Sequence, residues 1–213
     1  HRRSSAASDV YKRQMLEPFN LGAMGWGSAR LTHLVVEAER RAYADRSVHL
    51  GDPDFWKVPT AKLMDVNYAR ERMKDFDPER ATLSRELAAG QWADESEDTT
   101  HYSLIDQDGM MVAITTTLNS SFGSQLVIPG TGILMNNEMD DFSAQPGVPN
   151  QFGLLGAEAN AIQPMKRMLS SMTPTLVTRD GAPFLITGSP GGSTIITTVL
   201  QVIMNVIDPV SYT

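Results

Sequence analysis

Two adjacent threonines, Thr99 and Thr100, stand directly behind an acidic run, Asp94-Glu95-Ser96-Glu97-Asp98, in a chain with no cysteine. A threonine hydroxyl inside a chain is a weak nucleophile. If the bond between Asp98 and Thr99 is cut, the freed α-amine of Thr99, with a reference pKa of about 7.7 to 8.0, becomes a base beside its own Oγ. The same pair also suits the opening of a β-strand, where threonine is common. Three further clusters bear on the choice. Gly191-Gly192 precedes a helical pattern, so backbone N–H groups there can receive an oxyanion; Asp140-Asp141 ends a stretch dense in amides and carboxylates; Ser170-Ser171 offers paired hydroxyls. Each has an ordinary structural explanation, since adjacent aspartates commonly form a solvated turn and Gly-Gly a tight corner. Jointly the four outline a site for acyl transfer through a terminal threonine.

The elements around these residues follow from periodicity and turn chemistry. A strand pattern from Thr100 to Ile105, a turn at Asp106-Gln107-Asp108-Gly109 and a second strand from Met110 to Leu118 predict a hairpin. A short apolar strand at Ile133-Leu134-Met135 runs into Asn136-Asn137-Glu138-Met139-Asp140-Asp141, and Pro146, Gly147, Pro149 and Gly153 then make an irregular loop, a candidate lid. A second hairpin is expected from a strand ending near Thr178, a turn at Arg179-Asp180-Gly181 and a strand from Phe184 to Thr187. Gly188 to Ser193 then turns into a helix bearing Ile195, Ile196, Val199, Leu200 and Ile203. In the first half Ser28 caps a helix with Leu31, Leu34, Val35, Ala38 and Ala42 on one face and Glu37, Glu39, Arg40 and Arg41 on the others. Asp52-Pro53-Asp54 interrupts the chain, and a second helix is expected from about Asn67 to Asp75. Residues 83–98 resemble a solvated linker that tolerates a chain cut. Residues 1–14 are expected to be a disordered or non-native leader, and 209–213 a truncation tail.

The 213 residues are 41% apolar and 20% charged, with a formal net charge of −7. This composition fits a soluble globular protein, and no run of about 18 apolar residues suggests a membrane span. The negative balance disfavours nucleic acid, which is bound by clustered Lys and Arg. Without cysteine there is no disulfide or thiolate site. His33, His49 and His101 lack zinc-ligand spacing, Asp140-Asp141 lacks the alternating oxygen ligands of a calcium loop, and Gly188 to Ser193 lacks the Gly-Lys-Ser/Thr ending of a phosphate loop, so no metal or cofactor is expected.

Several ordered motifs together resemble γ-glutamyltranspeptidase: Thr99-Thr100-His101-Tyr102-Ser103, Asn136 to Phe142, Pro146-Gly147-Val148-Pro149-Asn150, Lys166 to Pro174, and Gly188 to Ser193. Tyr43-Ala44-Asp45-Arg46-Ser47 and Leu50-Gly51-Asp52-Pro53-Asp54-Phe55 extend the likeness into the first half, over about Leu16 to Asp208. The resemblance implies an α+β fold of the N-terminal-nucleophile hydrolase type, a four-layer αββα sandwich that this chain would carry incomplete at both ends. It implies a precursor cut between Asp98 and Thr99, with 15–98 as the C-terminal part of the large subunit and 99–208 as the N-terminal part of the small one. Thr99 would be the nucleophile, Thr117 would activate it, and Gly191 and Gly192 would hold the oxyanion. Asn119, Glu138 and Asp141 would take the α-ammonium of a γ-glutamyl donor such as glutathione, and Ser170 and Ser171 its α-carboxylate. Water or an amino acid would accept the acyl group, and the periplasm or cell exterior would be the compartment.

Two departures from the family pattern stand out. The family's carboxylate-binding Arg of the early large subunit falls outside this chain, and the lid position often held by an aromatic hydroxyl is Phe152. Loss of that hydroxyl predicts a leakier pocket and more hydrolysis. Phe152→Tyr is therefore expected to shift product partition toward transfer, and an unchanged ratio would refute it. Rival readings are a cephalosporin or glutaryl acylase, a poly-γ-glutamate-processing relative, and an unprocessed peptide-binding homologue. Asp141 disfavours the first, since a glutaryl donor has no ammonium group to meet it.

Overall fold

The computed structural model describes residues 11–87, 99–151 and 153–208. The expectations for 1–10, for residues 88–98 of the linker, for Phe152 and for 209–213 lie outside the described residues.

Helix α1 (Ala29–His49) organises the first half. Ser28 starts it by accepting the Leu31 N–H at 3.1 Å, which satisfies one of the donors left open at a helix start. Leu31, Leu34, Val35, Ala38 and Ala42 are buried, as their spacing predicts. Glu37 and Arg41, expected on the outer faces, are buried too, at 1% and 0% exposure. Pairing explains this. Arg41 donates to Glu37 Oε2 at 2.5 Å, to Asp75 Oδ1 at 3.0 Å and to Thr82 Oγ1 at 3.1 Å, while the Thr82 hydroxyl donates to Glu37 at 2.5 Å. Residues 75–82 thus cover a second side of the helix. Burial alone would raise the Glu37 carboxyl, but hydrogen bonds from Thr82, Arg41 and Arg40 outweigh it and hold the group below its ordinary value. Removing one member strands the other charge, so Arg41→Met is expected to cost about 3–5 kcal/mol, seen as a lower urea midpoint at unchanged m-value.

Residues 11–14, expected to be part of a disordered leader, are instead ordered. Residues 11–16 are helical; Tyr11, Met15 and Leu16 join the core, and the Tyr11 hydroxyl donates to Asp45 at 2.6 Å. So short a helical stretch leaves too few apolar repeats to recognise beside the Ser- and Ala-rich residues before it. Two helical pieces follow, α2 (Thr60–Leu63) and α3 (Val66–Arg72). Asp65 caps α3 by accepting the Asn67 and Tyr68 N–H groups at 2.7 and 3.2 Å. α3 ends at Arg72 rather than at Asp75. A single turn, α4 (Ser84–Leu87), occupies the start of the expected linker. The last helix, α5 (Ile195–Ile207), buries Ile195, Ile196, Val199, Leu200 and Met204, with Ile203 only partly covered. Leu34 and Ala38 of α1, Ala69 of α3 and Leu200 of α5 meet in one core. Among the described residues no helix is long and apolar enough to cross a membrane.

Strands β1 (Thr99–Ile105) and β2 (Met111–Thr117) pair antiparallel. Asp106 closes their turn by accepting the Asp108 and Met110 N–H groups at 3.0 and 2.8 Å, and Gly109 supplies the positive φ of 83° that the turn requires. β3 (Thr175–Arg179) and β4 (Ala182–Thr187) form the second hairpin, with a bulge between Val177 and Thr178. β2 packs beside β4. The strand expected at Ile133-Leu134-Met135 is only a bridge, Val127 to Leu134, at the base of an irregular loop. Among the described residues the sheets are two separate pairs, so the four expected layers are not assembled within them.

Candidate active site

Thr99 lies directly opposite Thr117 in the β1–β2 ladder, which puts both side chains on one face of the hairpin. Thr117 Oγ1 accepts the Asn119 N–H at 2.9 Å. A hydroxyl that accepts one hydrogen bond is polarised to donate another. Asn119, buried and at φ 75°, turns the chain away from β2, a left-handed conformation that asparagine tolerates. Its Nδ2 donates to the Asn137 carbonyl at 3.3 Å, and Asn137 in turn holds Ser120 through its side chain at 3.0 Å. The end of β2 is thereby stitched to the 3₁₀ turn Glu138–Asp141.

Glu138 and Asp141 act on one another across that turn. Burial, and then the Asp141 charge, raise the Glu138 carboxyl to about 7. Burial also raises Asp141, while the Glu138 hydrogen bond and the Arg46 charge pull against it. Glu138 Oε2 is buried with no hydrogen-bond partner among the described residues. An acceptor left in this state favours the arrival of a cation. Asp140 points elsewhere, its carboxylate accepting the Gln151 N–H at 3.2 Å from the loop expected to be a lid.

The Ser170-Ser171 segment reaches the same turn through two buried side chains. Asn160 donates to the Asp141 carbonyl at 2.7 Å and accepts the Leu169 N–H at 3.0 Å. Arg46, on α1, donates through Nη2 to the Ser170 carbonyl at 3.2 Å and to Ser171 Oγ at 3.3 Å. Ser170 Oγ accepts the Met172 N–H at 3.0 Å. Both serine oxygens are thus engaged as acceptors, so their O–H hydrogens are suited to an anionic ligand. A cavity of about 260 Å³ opens among Arg46, Asp141, Ser171 and the loop residues Pro149 and Asn150.

Of the expected site residues that are described, only Asp141 and Ser171 line that cavity; Thr99, Thr117, Asn119, Glu138, Ser170, Gly191 and Gly192 do not. Two contacts of neighbouring residues set the positions of the Thr99 and glycine-turn segments. A Cβ on Gly188 would fall 2.1 Å from His101 Nδ1, so only glycine lets this turn lie against β1 two residues from Thr99. Gly191 and Gly192 take φ values of 124° and 54° and lead into the 3₁₀ turn before α5. The Tyr43 hydroxyl, one turn before Arg46 on α1, donates to the Ser193 carbonyl at 2.5 Å.

A latch joins the two halves. Arg167 donates to Asp52 from its backbone at 2.9 Å, from Nε at 3.0 Å and from Nη2 at 2.6 Å, and also to Asp54 at 2.6 Å. These hydrogen bonds, foremost those of the guanidinium, hold Asp52 well below the usual carboxylate range despite its burial. A depressed carboxyl stabilises above its unfolded pKa of about 3.9, and the contribution is lost as pH falls through the lower folded value. Asp52→Asn is expected to lower the urea midpoint at pH 7 and to converge on the parent in strong acid; a constant gap would rule the latch out.

Tyr43 and Arg46 enter the sequence only as part of the Tyr43–Ser47 motif, without a site role, and Asn160 carries no sequence signal. Tyr43 and Arg46 stand three residues apart on one helix face, a visible spacing whose targets lie more than a hundred residues away. Among the described residues no group of three or more His, Asp or Glu side chains could hold a metal ion.

Solved structures define the class first. The chain matches a cephalosporin acylase from Bacillus halodurans at TM-score 0.75 and 25% identity, over 96% of this chain and 34% of that one. It matches a mutant of Helicobacter pylori gamma-glutamyltranspeptidase at TM-score 0.50 and 60% identity, over 51% of this chain and 59% of that one. Both are of the N-terminal-nucleophile hydrolase fold. The gamma-glutamyltranspeptidase family profile matches residues 10–210, and the chain belongs to that family. A glutathione hydrolase proenzyme of Escherichia coli (strain K12) is 54% identical over 195 residues, which are 91% of this chain and 34% of the relative. The chain therefore spans about a third of the length of that curated relative.

Proposed function

We propose that the complete protein transfers and hydrolyses γ-glutamyl groups, with glutathione and related γ-glutamyl amides as donors, after cutting itself between Asp98 and Thr99. The carboxylate pair Glu138 and Asp141 carries this reading, because a γ-glutamyl group differs from a glutaryl group by the α-ammonium such a pair would hold. Thr99 Oγ attacks the donor's γ-carbonyl and its proton passes to the Thr99 amine. Gly191 and Gly192 N–H groups stabilise the oxyanion, and Thr117 orients Thr99 through its polarised hydroxyl. The leaving amine departs with the proton, leaving a γ-glutamyl ester on Thr99. Water or an amino acid then attacks that ester, its proton returning through the same amine. Asn119, Glu138 and Asp141 hold the α-ammonium; Ser170 and Ser171 donate to the α-carboxylate; Phe152 belongs to the lid.

The same reading completes the four-layer αββα sandwich with chain from the rest of the precursor, divided into large and small subunits. It places the enzyme in the periplasm or outside the cell, as its relatives' family suggests.

The likeness to a cephalosporin acylase over nearly the whole chain supports a second reading, a glutaryl-type acylase with the same nucleophile. Anilide release by the complete enzyme separates the two. Preference for the γ-glutamyl over the glutaryl anilide is expected, and the reverse preference would decide for the acylase.

A further inference from the structure

Arg46 is 6% exposed, and its Nε is buried with no hydrogen-bond partner among the described residues. A guanidinium buried this deeply costs desolvation, which pulls it below its ordinary value, and it keeps its place only by interactions on several sides. Tyr43, one turn earlier on α1, is the first of these, and the others belong to the candidate site. Its Nη2 bonds the Ser170 carbonyl and Ser171 Oγ, its charge acts on Asp141, and its side chain lines the cavity with Asp141 and Ser171. It stands on α1, which is anchored in the core and which also grips the Ser193 carbonyl through Tyr43 one turn earlier. Arg46 therefore belongs to the large-subunit side of the expected cut, while the groups it holds belong to the small-subunit side.

We infer that Arg46 is a positioning residue that fixes the spacing between the serine hydroxyls and the Asp141 carboxylate, and so sets specificity for a donor with a free amino-acid end. The inference rests on the γ-glutamyl reading above. A zwitterion needs donors and acceptors at one fixed separation, and a single rigid fork touching one group while attracting the other supplies it. Lysine keeps the charge but not the fork; glutamine keeps neither the charge nor the full fork.

The charged and titratable groups facing this centre are Glu138, Asp140 and Asp141 on the 3₁₀ turn and Tyr43 and Arg46 on α1. Loss of the Arg46 charge removes a cation that, among the described residues, opposes protonation of Asp141. In the complete, processed enzyme, Arg46→Lys is expected to raise KM for a γ-glutamyl anilide about tenfold with kcat little changed, and to leave the pH midpoint of KM in place. Arg46→Gln is expected to raise KM further and to move that midpoint upward by about one unit. A purely structural role would lower the amount of processed enzyme without moving either quantity. Should Arg46→Gln not mature, Arg46→Lys decides, together with Ser171→Ala: a KM effect of Arg46→Lys that persists in full when Ser171 is already alanine overturns the inference, as does wild-type KM in Arg46→Lys. A wild-type enzyme that releases no aniline from the γ-glutamyl substrate instead overturns the functional reading, and this inference with it.

Discussion

Thr99→Ala in the complete precursor is expected to give one uncut polypeptide whose γ-glutamyl turnover is lower by at least about 10⁴-fold. The size of the effect follows from one atom serving twice. On the proposed mechanism Oγ would attack the preceding carbonyl during maturation and the donor carbonyl in every later cycle, and alanine supplies neither. Thr99→Ser keeps the oxygen and is expected to restore cutting and part of the turnover. Thr100→Ala is the control, and the hairpin says why. Thr99 pairs with Thr117 on one face, partly buried, while Thr100 pairs with Thr116 on the other and is exposed. Intact mass and aniline release measure both outcomes. Two fragments of normal size from Thr99→Ala, or unimpaired turnover, would remove Thr99 from the mechanism.

The second large effect is a dependence of donor binding on pH. Glu138 is raised to about 7 by burial and by Asp141. Below that value the pair holds a proton that an incoming ammonium must displace. Donor KM is therefore expected to fall as pH rises toward about 7 and to level off above it. Glu138→Gln should flatten that step, and Asp141→Asn should raise KM by about 10²-fold or more, since it strands a buried ammonium without its counter-charge. A KM independent of pH between about 5 and 8 in the parent would contradict this, since that span lies above the ordinary Glu value of about 4.3 and brackets the raised value of about 7. Stability carries the opposite sign. A carboxyl whose folded pKa exceeds its unfolded value loses stability as pH rises from the ordinary carboxylate range to about 7, because the folded state then binds the proton more tightly than the unfolded one. Glu138→Gln is thus expected to raise the urea midpoint of the unliganded protein at neutral pH while weakening donor binding. The site holds two carboxylates together at a cost in stability, which the ammonium of the proposed donor would relieve.

The structure's departures from the sequence reading share one cause. Glu37 and Arg41 belong by type to a solvated helix face; they are buried because residues 75–82 return over them with Asp75 and Thr82. Arg46 and Asn160 are polar residues in ordinary local contexts, and only the path of the chain brings them to Ser171, Asp141 and Leu169. The latch between Asp52 and Arg167 spans 115 residues in sequence, so neither partner announces the other.

By itself the sequence determined the local elements and the chemical types at the site. Apolar spacing and Ser28 specify α1, Asp106 to Gly109 specify the first hairpin, and the threonine, carboxylate, serine and glycine motifs specify the family. Such information is legible because helix period, strand alternation and turn geometry depend on residues within about four positions of one another. Tertiary structure alone decided which threonine shares a face with Thr117, which charges are buried, and how α1 reaches both the serine pair and the glycine turn. Those outcomes depend on where the backbone carries distant segments, and burial and pairing act on distance in space rather than on separation along the chain.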